Sequence, residues 1–330
     1  MELTQSQSDR AVGAIVGTAV ADALGAHYEF DRPTLGADEK AQMLGGGLGP
    51  FAPGEWTDDT TMAWCILDAA AAGHDLRTDE GLTAVGRNFR EWSETGPKDI
   101  GNQTARVLDT AGPAPTAAQL RHVSEKLHEM TRHTGGNGSL MRTAPVPLRH
   151  LGDRPAVAEA AAAVSALTHW DEHAQSGCVL WSLAIEHAVM HGELDVRSGL
   201  SLLSPAEAGF WTEKLDEAET EPPSTFNPNG WVVTALQAAW SSIAQTPATG
   251  PEHYVEALNT VIRIGNDTDT TAAIAGGLLG ACWGASAIPA EWRALSHGYP
   301  GIPGDFLSTL ALDTVAAARG RSTASDDGTV

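Results

Sequence analysis

The sequence predicts an all-α fold, a compact single-domain orthogonal helical bundle, and three observations carry that prediction. Runs with apolar residues three and four positions apart recur along the chain. Strand-like alternation is almost absent. Alanine and glycine are abundant, with 35 glycines in 330 residues, which lets helices approach closely. A globule of this kind places its chemistry on helix ends and the loops between them.

The first element, RAVGAIVGTAVADALG, sets Val12, Ile15, Val16, Ala19, Val20, Ala23 and Leu24 on a helical spacing. It reads as a buried helix ending near Gly25, with Gly13 and Gly17 available for close packing. A Gly- and Pro-rich loop follows from Arg32 to Gly54. Thr57 then precedes DDTTMAWCILDAAAAG, where a threonine suits a helix cap and Asp58 and Asp59 suit the first turn. Further helices are expected over 79–92, 115–132, 154–167, 172–191, 231–245, 252–264 and 270–287. The stretch 201–230 is acidic and Pro-rich and reads as a surface insertion without a long regular element. The polar end RGRSTASDDGTV, 319–330, reads as a disordered tail, so one domain is expected over 1–318.

Charge and cysteine usage exclude several classes. Twenty Lys and Arg stand against 42 Asp and Glu, a formal charge of −22, which repels a phosphate backbone and argues against generic nucleic-acid binding. The uncharged run from Thr268 past Asp269 to Ala290 contains AGGLLGACWG behind two aspartates, so it reads as a buried core helix and not a membrane span. Cys65, Cys178 and Cys282 lie in separate apolar stretches without metal-type spacing, and MELTQSQSDR lacks the regions of a signal peptide. A reducing cytoplasm is the expected location.

Two segments carry the chemistry, EWTDDTTMAW at 55–64 and IGNDTDTTAAIAGG at 264–277. Each joins threonine oxygens to adjacent or alternate aspartates. Taken alone, each is an ordinary helix start. Recurrence in an Ala/Gly-rich background points instead to hard divalent cations, which take oxygen ligands and, when paired, need several carboxylates between them. Thr57, Asp58 and Asp59 form one half of such a set and Asp267, Asp269 and Thr270 the other, with a bridging carboxylate between. The two ends of the chain must then meet.

A third segment, HTGGNGSLMRTAPVPL, is a glycine-rich loop. It reads either as a structural turn or as a cradle of unobstructed N–H groups for a phosphate, with Arg142 adding a charged contact.

These residues resemble the ADP-ribosylglycohydrolase family, which includes dinitrogenase reductase activating glycohydrolase and the eukaryotic ADP-ribosylhydrolases. The matching segments run in family order from about residue 11 to 295: ADALGAHYEF, GEWTDDT, KDIGNQT, GGNGSLMR, THWDEHA, NGWVVTALQAAW and GNDTDTTAAIAGGLLGA. The resemblance implies an all-α fold with a binuclear Mg²⁺ or Mn²⁺ cleft, ligated by Thr57, Asp58, Asp59, Asp267, Asp269 and Thr270. It implies that ADP-ribose lies with its ribose hydroxyls toward the metals and its pyrophosphate on Gly136, Asn137, Gly138 and Ser139. It places Glu29 near the metals and Asp99 by the scissile bond, with Gly101 and Asn102 beside it. His169 matches a ligand-contacting histidine, against a purely structural role. Trp231 matches an aromatic near the ligand, against core packing. Ala21 stands where relatives often have Gly, and Thr234 where some have Asp.

The implied reaction is hydrolysis of the bond between ADP-ribose and an acceptor, an ADP-ribosylated protein arginine first. Asp58, Asp59 and Asp269 then hold the cations and poise the water, and Glu29 or Asp99 handles a proton. Three alternatives stay open at this point: an ADP-ribosyl-serine or nucleic-acid-linked substrate, a non-catalytic ADP-ribose-binding protein, and a Mg²⁺-dependent phosphohydrolase.

Overall fold

A computed structural model describes residues 2–30 and 34–322, and within them the regular structure is almost wholly helical. Thirteen α-helices occur among the described residues: α1 (Gln5–Gly25), α2 (Asp58–Ala71), α3 (Asp79–Glu94), α4 (Asn102–Ala111), α5 (Ala117–Thr131), α6 (Arg154–Ala166), α7 (Glu172–His191), α8 (Pro205–Thr220), α9 (Val232–Ala244), α10 (Gly250–Arg263), α11 (Thr268–Trp283), α12 (Ala290–Leu295) and α13 (Gly304–Ser322). A small antiparallel hairpin, β1 (His297–Gly298) and β2 (Ile302–Pro303), lies between the last two.

Local chemistry starts these helices where the sequence says. Thr4 and Thr116 each close a reciprocal capping box with Gln7 and Gln119, and Thr78, Asp153 and Asp171 accept N–H groups of the first turn that follows them. Gly192 ends α7 in the left-handed conformation.

The centre of the molecule is the pair α1 and α11, one from each end of the chain. A Cβ on Gly13 would lie 2.1 Å from the Gly280 carbonyl oxygen, and one on Gly17 would lie 2.4 Å from that of Gly276. The two helices therefore touch backbone to backbone, which no residue with a side chain allows. Helix α11 is buried throughout except at Trp283, as expected of a core helix. Among the described residues only α1, continuing to Tyr28, has the length and mean hydropathy to cross a membrane, and 89% of its most apolar 18-residue window is buried inside the protein. Helices α7, α9, α10 and α13 pack around this pair.

Two expectations need correction. The 201–230 stretch contains α8, a sixteen-residue helix capped by Ser204 with Pro205 at its start. Glu213, Asp216 and Glu219 face outward and Glu207 turns to Ser176 and His173 of α7, while Trp211, Leu215 and Ala218 bury against α9 and α7, and Trp211 Nε1 donates to Ser176 Oγ at 2.8 Å. Acidity marked one face of a helix, not the absence of one. In the 319–330 tail, residues 319–322 complete α13, and 323–330 lie outside the described residues.

Candidate active site

The N-termini of α2 and α11 converge on the C-terminal half of α1, and this meeting collects the carboxylates. Oxygen atoms of Asp22, Asp59 and Asp269 lie within 4.8 Å of one another, as do those of Glu29, Asp267 and Asp269. Asp269 belongs to both groups and so joins them. Asp22, Asp59 and Asp269 are buried to 2% exposure or less.

Asp22 was not legible as a site residue, yet it organises this corner. Thr57 stands at the cap position of α2 but makes no side-chain cap. Asp22, reaching across from α1, accepts the backbone N–H groups of Thr57 and Thr60 at 3.0 Å each and the Thr60 hydroxyl at 2.6 Å. The Thr57 hydroxyl is turned inward, 2.9 Å from both Asp22 Oδ1 and Asp59 Oδ2. The signal was present: an aspartate inside an otherwise apolar, buried helix needs partners.

Burial, and then mutual repulsion, govern the charge of this cluster. Burial first, and then the charges of Asp99 and Asp22, push the Asp58 carboxyl up to about 8. Glu29 is likewise pushed up to about 8 by burial and by Asp267 and Asp99. Asp22 rises to about 6 because burial outweighs its hydrogen bonds. Asp59 and Asp269 are raised well above the usual carboxylate range by burial and by neighbouring acids. Oδ1 of Asp59 is fully buried and has no hydrogen-bond partner. A set of packed carboxylates with one oxygen left unpartnered fits divalent cations, which supply both the missing partner and the compensating charge. The positive ends of α2 and α11 add to the field that gathers the acids.

Above the cluster lies a cleft of about 460 Å³. Glu29, Asp58, Asp99, Asp267, Asp269 and Thr270 line its floor and one side. Gly101 and Asn102, at the start of α4, line another, and the Gly101 N–H donates to Asp58 Oδ2 at 3.3 Å. Gly136, Asn137 and Gly138 form the opposite wall with His169. Asn137 ties that wall to the cluster, donating from Nδ2 to Asp267 Oδ2 at 2.7 Å and to the Asn229 carbonyl at 3.1 Å.

The state of His169 follows from its neighbours. Arg142 donates to Thr168 Oγ1 at 2.7 Å, so the threonine proton is free to point to its other partner, His169 Nδ1, at 2.8 Å. Nδ1 is then the acceptor, and Nε2 carries the proton beside Gly136 and Gly138. Burial and the Arg142 charge both hold the ring neutral. His169 thus presents an N–H donor to the cleft.

Three expected contacts are placed differently. Arg142 is fully buried beneath the loop, 4.6 Å from the Phe89 ring centroid, and does not line the cleft. Residues after Ser139 turn into the core and carry it away. Ser139 is also buried, its hydroxyl engaged by Ser165 at 2.9 Å. Trp231 is 45% exposed, which removes the core-packing reading. It does not line the cleft, and it meets the glycine loop through a backbone bridge to Gly136.

An all-α scaffold that joins carboxylates from two helix starts beside a glycine loop, in one cleft, has the makings of a metal-assisted hydrolase, and known proteins give its class. The ADP-ribosylglycohydrolase model matches residues 3–324, and the chain belongs to that family. It is similar to ADP-ribosylarginine hydrolase Tri1 of Pseudomonas putida (strain GB-1), with 30% identity over 301 residues that cover 88% of this chain and 75% of that protein. It is similar to ADP-ribosyl-[dinitrogen reductase] glycohydrolase of Rhodospirillum rubrum, with 27% identity over 87% of this chain and 90% of the relative. A solved structure of an ADP-ribosylglycohydrolase-related protein complex superposes with a TM-score of 0.73 at 25% identity, covering 96% of this chain and 100% of that one.

Proposed function

We propose that this chain hydrolyses the bond between ADP-ribose and arginine of a modified protein, with two divalent cations, Mg²⁺ or Mn²⁺, in the carboxylate cluster. The observation that carries the reading is the joining of the two carboxylate groups through Asp269 at the floor of a cleft walled by glycines, with a buried oxygen of the neighbouring Asp59 left unpartnered. The arginine acceptor is supported by the relative from Pseudomonas putida, whose name states it.

Thr57, Asp58, Asp59, Asp267, Asp269 and Thr270 would hold the cations. When bound, these supply positive charge that orients ribose hydroxyls and favours ionisation of water near neutral pH. The chain's own groups do the rest. The N–H groups of Gly136 and Gly138 and Nε2 of His169 are available to phosphate oxygens, while the Asn137 N–H is engaged by the Gly230 carbonyl at 3.1 Å. Glu29 and Asp99 flank the cluster, so one can take the proton from the attacking water while the other returns one to the departing nitrogen. The carbon–oxygen bond forms as the carbon–nitrogen bond breaks, releasing ADP-ribose and arginine. We place the enzyme in the cytoplasm, in keeping with three buried, unpaired cysteines.

The test is release of free ADP-ribose from ADP-ribosyl-arginine with Mg²⁺ or Mn²⁺ and with EDTA, in wild type and Asp58→Ala. Cation-dependent release that the substitution abolishes is the expected result. AMP as the product would replace this reading with a phosphohydrolase, and absence of any product would move it to a serine- or nucleic-acid-linked substrate first and then to a binding protein.

A further inference from the structure

A second cavity, of about 410 Å³, adjoins the cleft, and Asp58 and Asp99 line both. It has the size of a small-ligand site, typically about 300–1,000 Å³. Its walls differ in kind from those of the cleft: the aromatic side chains of Phe51, Trp92 and Tyr299, with Glu55 and Lys98. The wall is continuous with the cluster. His297 of the β1–β2 hairpin bonds through its backbone to Gly54 and Trp56, at 3.0 Å each, immediately before Thr57 and Asp58.

We infer that this second cavity is the acceptor subsite and that it takes the guanidinium side chain of an arginine. The inference rests on the hydrolase reading above and adds where the leaving group sits and what selects it. With ADP-ribose between the glycine wall and the cluster, a bond broken beside Asp58 and Asp99 leaves the acceptor on their far side. Even with Asp58 given to cations, Glu55 and Asp99 outnumber the single ammonium of Lys98 in the cavity. A planar cation matches both its carboxylates and its aromatic faces. The cavity already holds one cation in this manner: Lys98 Nζ lies 2.6 and 2.7 Å from the two Glu55 oxygens and 5.2 Å from the Phe51 ring centroid. A neutral hydroxyl acceptor would gain nothing from this lining. Lys98, partly exposed, competes with the incoming side chain for Glu55.

The full chain, supplied with Mn²⁺, is compared with Glu55→Gln and Lys98→Met on ADP-ribosyl-arginine and ADP-ribosyl-serine, with calorimetric binding of free ADP-ribose alongside. Glu55→Gln is expected to raise KM for the arginine substrate about tenfold, and Lys98→Met to lower it severalfold, while the Kd of ADP-ribose stays unchanged in both. Opposite signs from two partners of one ion pair are not the result of a merely structural role. KM unchanged in both variants, or a Kd of ADP-ribose that moves with KM, overturns the proposal. Cleavage of the serine substrate alone overturns it and leaves the hydrolase reading standing. If the wild type releases no ADP-ribose from either substrate, that reading fails by itself and agmatine, a guanidinium on a short chain, decides the cavity. Binding that Glu55→Gln weakens supports the subsite, and no binding overturns it.

Discussion

Arg142 donates to Thr168 Oγ1 across 2.7 Å, and this contact decides which nitrogen of His169 carries its proton. Thr168→Val removes the hydroxyl that donates to Nδ1 while keeping its volume. The ring then loses its fixed tautomer. Free ADP-ribose is expected to bind about five- to tenfold more weakly, the cost of about 1–1.5 kcal/mol typical of one hydrogen bond. Nitrogen NMR of the imidazole checks the cause: wild type shows a neutral ring protonated on Nε2, and the variant a mixture. An unchanged spectrum refutes the relay.

The carboxylate cluster costs stability when nothing neutralises it. Asp59→Asn removes one ionisable group from the crowded cluster and keeps an oxygen for the Thr57 hydroxyl, 2.9 Å away in the wild type. The cation-free variant should therefore melt several degrees above the cation-free wild type, a gain of about 1–3 kcal/mol. Adding Mn²⁺ should raise the Tm of the wild type and leave the variant nearly unmoved. Calorimetric scans with Mn²⁺ and with EDTA read both.

Asp22 acts on the site by anchoring α2. Asp22→Ala leaves the buried N–H groups of Thr57 and Thr60 without their acceptor, and a loss of about 2–4 kcal/mol is expected in urea unfolding. Turnover should fall in the variant even where it remains folded, since Thr57, Asp58 and Asp59 follow the anchor.

Glycine substitutions separate close approach from mere helix propensity. Gly17→Ala places a methyl group 2.4 Å from the Gly276 carbonyl oxygen, so α1 and α11 must part, at a cost of about 3 kcal/mol or more. Gly209→Ala on α8 meets nothing within 4 Å and should stabilise by about 0.5–1 kcal/mol. Thermal denaturation of the two variants should move in opposite directions.

Away from the site, Asp75, Arg77 and His150 set an acid limb of stability. Burial outweighs the nearby Asp75 carboxylate, 3.7 Å away, and pushes His150 down to about 4. An unfolded histidine takes its proton near 6.5, so the unfolded state binds more protons and stability falls as pH drops from 6.5 to 4. Hydrogen bonding from Arg77 holds Asp75 below the usual carboxylate range, so its contribution is present above 3.8 and is lost below it. Urea midpoints at pH 7, 5.5 and 4 should show the first limb, and His150→Gln should flatten part of it.

What the sequence disclosed and concealed follows from how far apart the causes lie along the chain. Helices with a stripe such as Val12 to Leu24, or with a cap such as Thr78, were readable because three or four neighbouring residues decide them. The short α4 buries only Thr104, Val107 and Leu108, too few for a clear periodicity. Helix α8 was masked by its own acidic face. In the site, the Thr/Asp segments stood out by repetition, but Asp22 did not, because its partners are 35 and 38 residues away. The burial of Arg142 and Ser139 depends on where the chain turns after Gly138, which composition does not encode.

The backbone contact between α1 and α11 also bears on the chain as it is made. Residues 57–59 leave the ribosome long before 267–270, so a nascent chain carries its acidic cluster without Asp267 and Asp269 and with the partner surface of α1 still bare. Nothing shorter than nearly the whole chain can close the centre, and that long separation between contacting segments predicts slow folding in which α11 docks late. A truncated translation product is therefore expected to be inert, holding an incomplete binding site and an uncovered, glycine-notched helix.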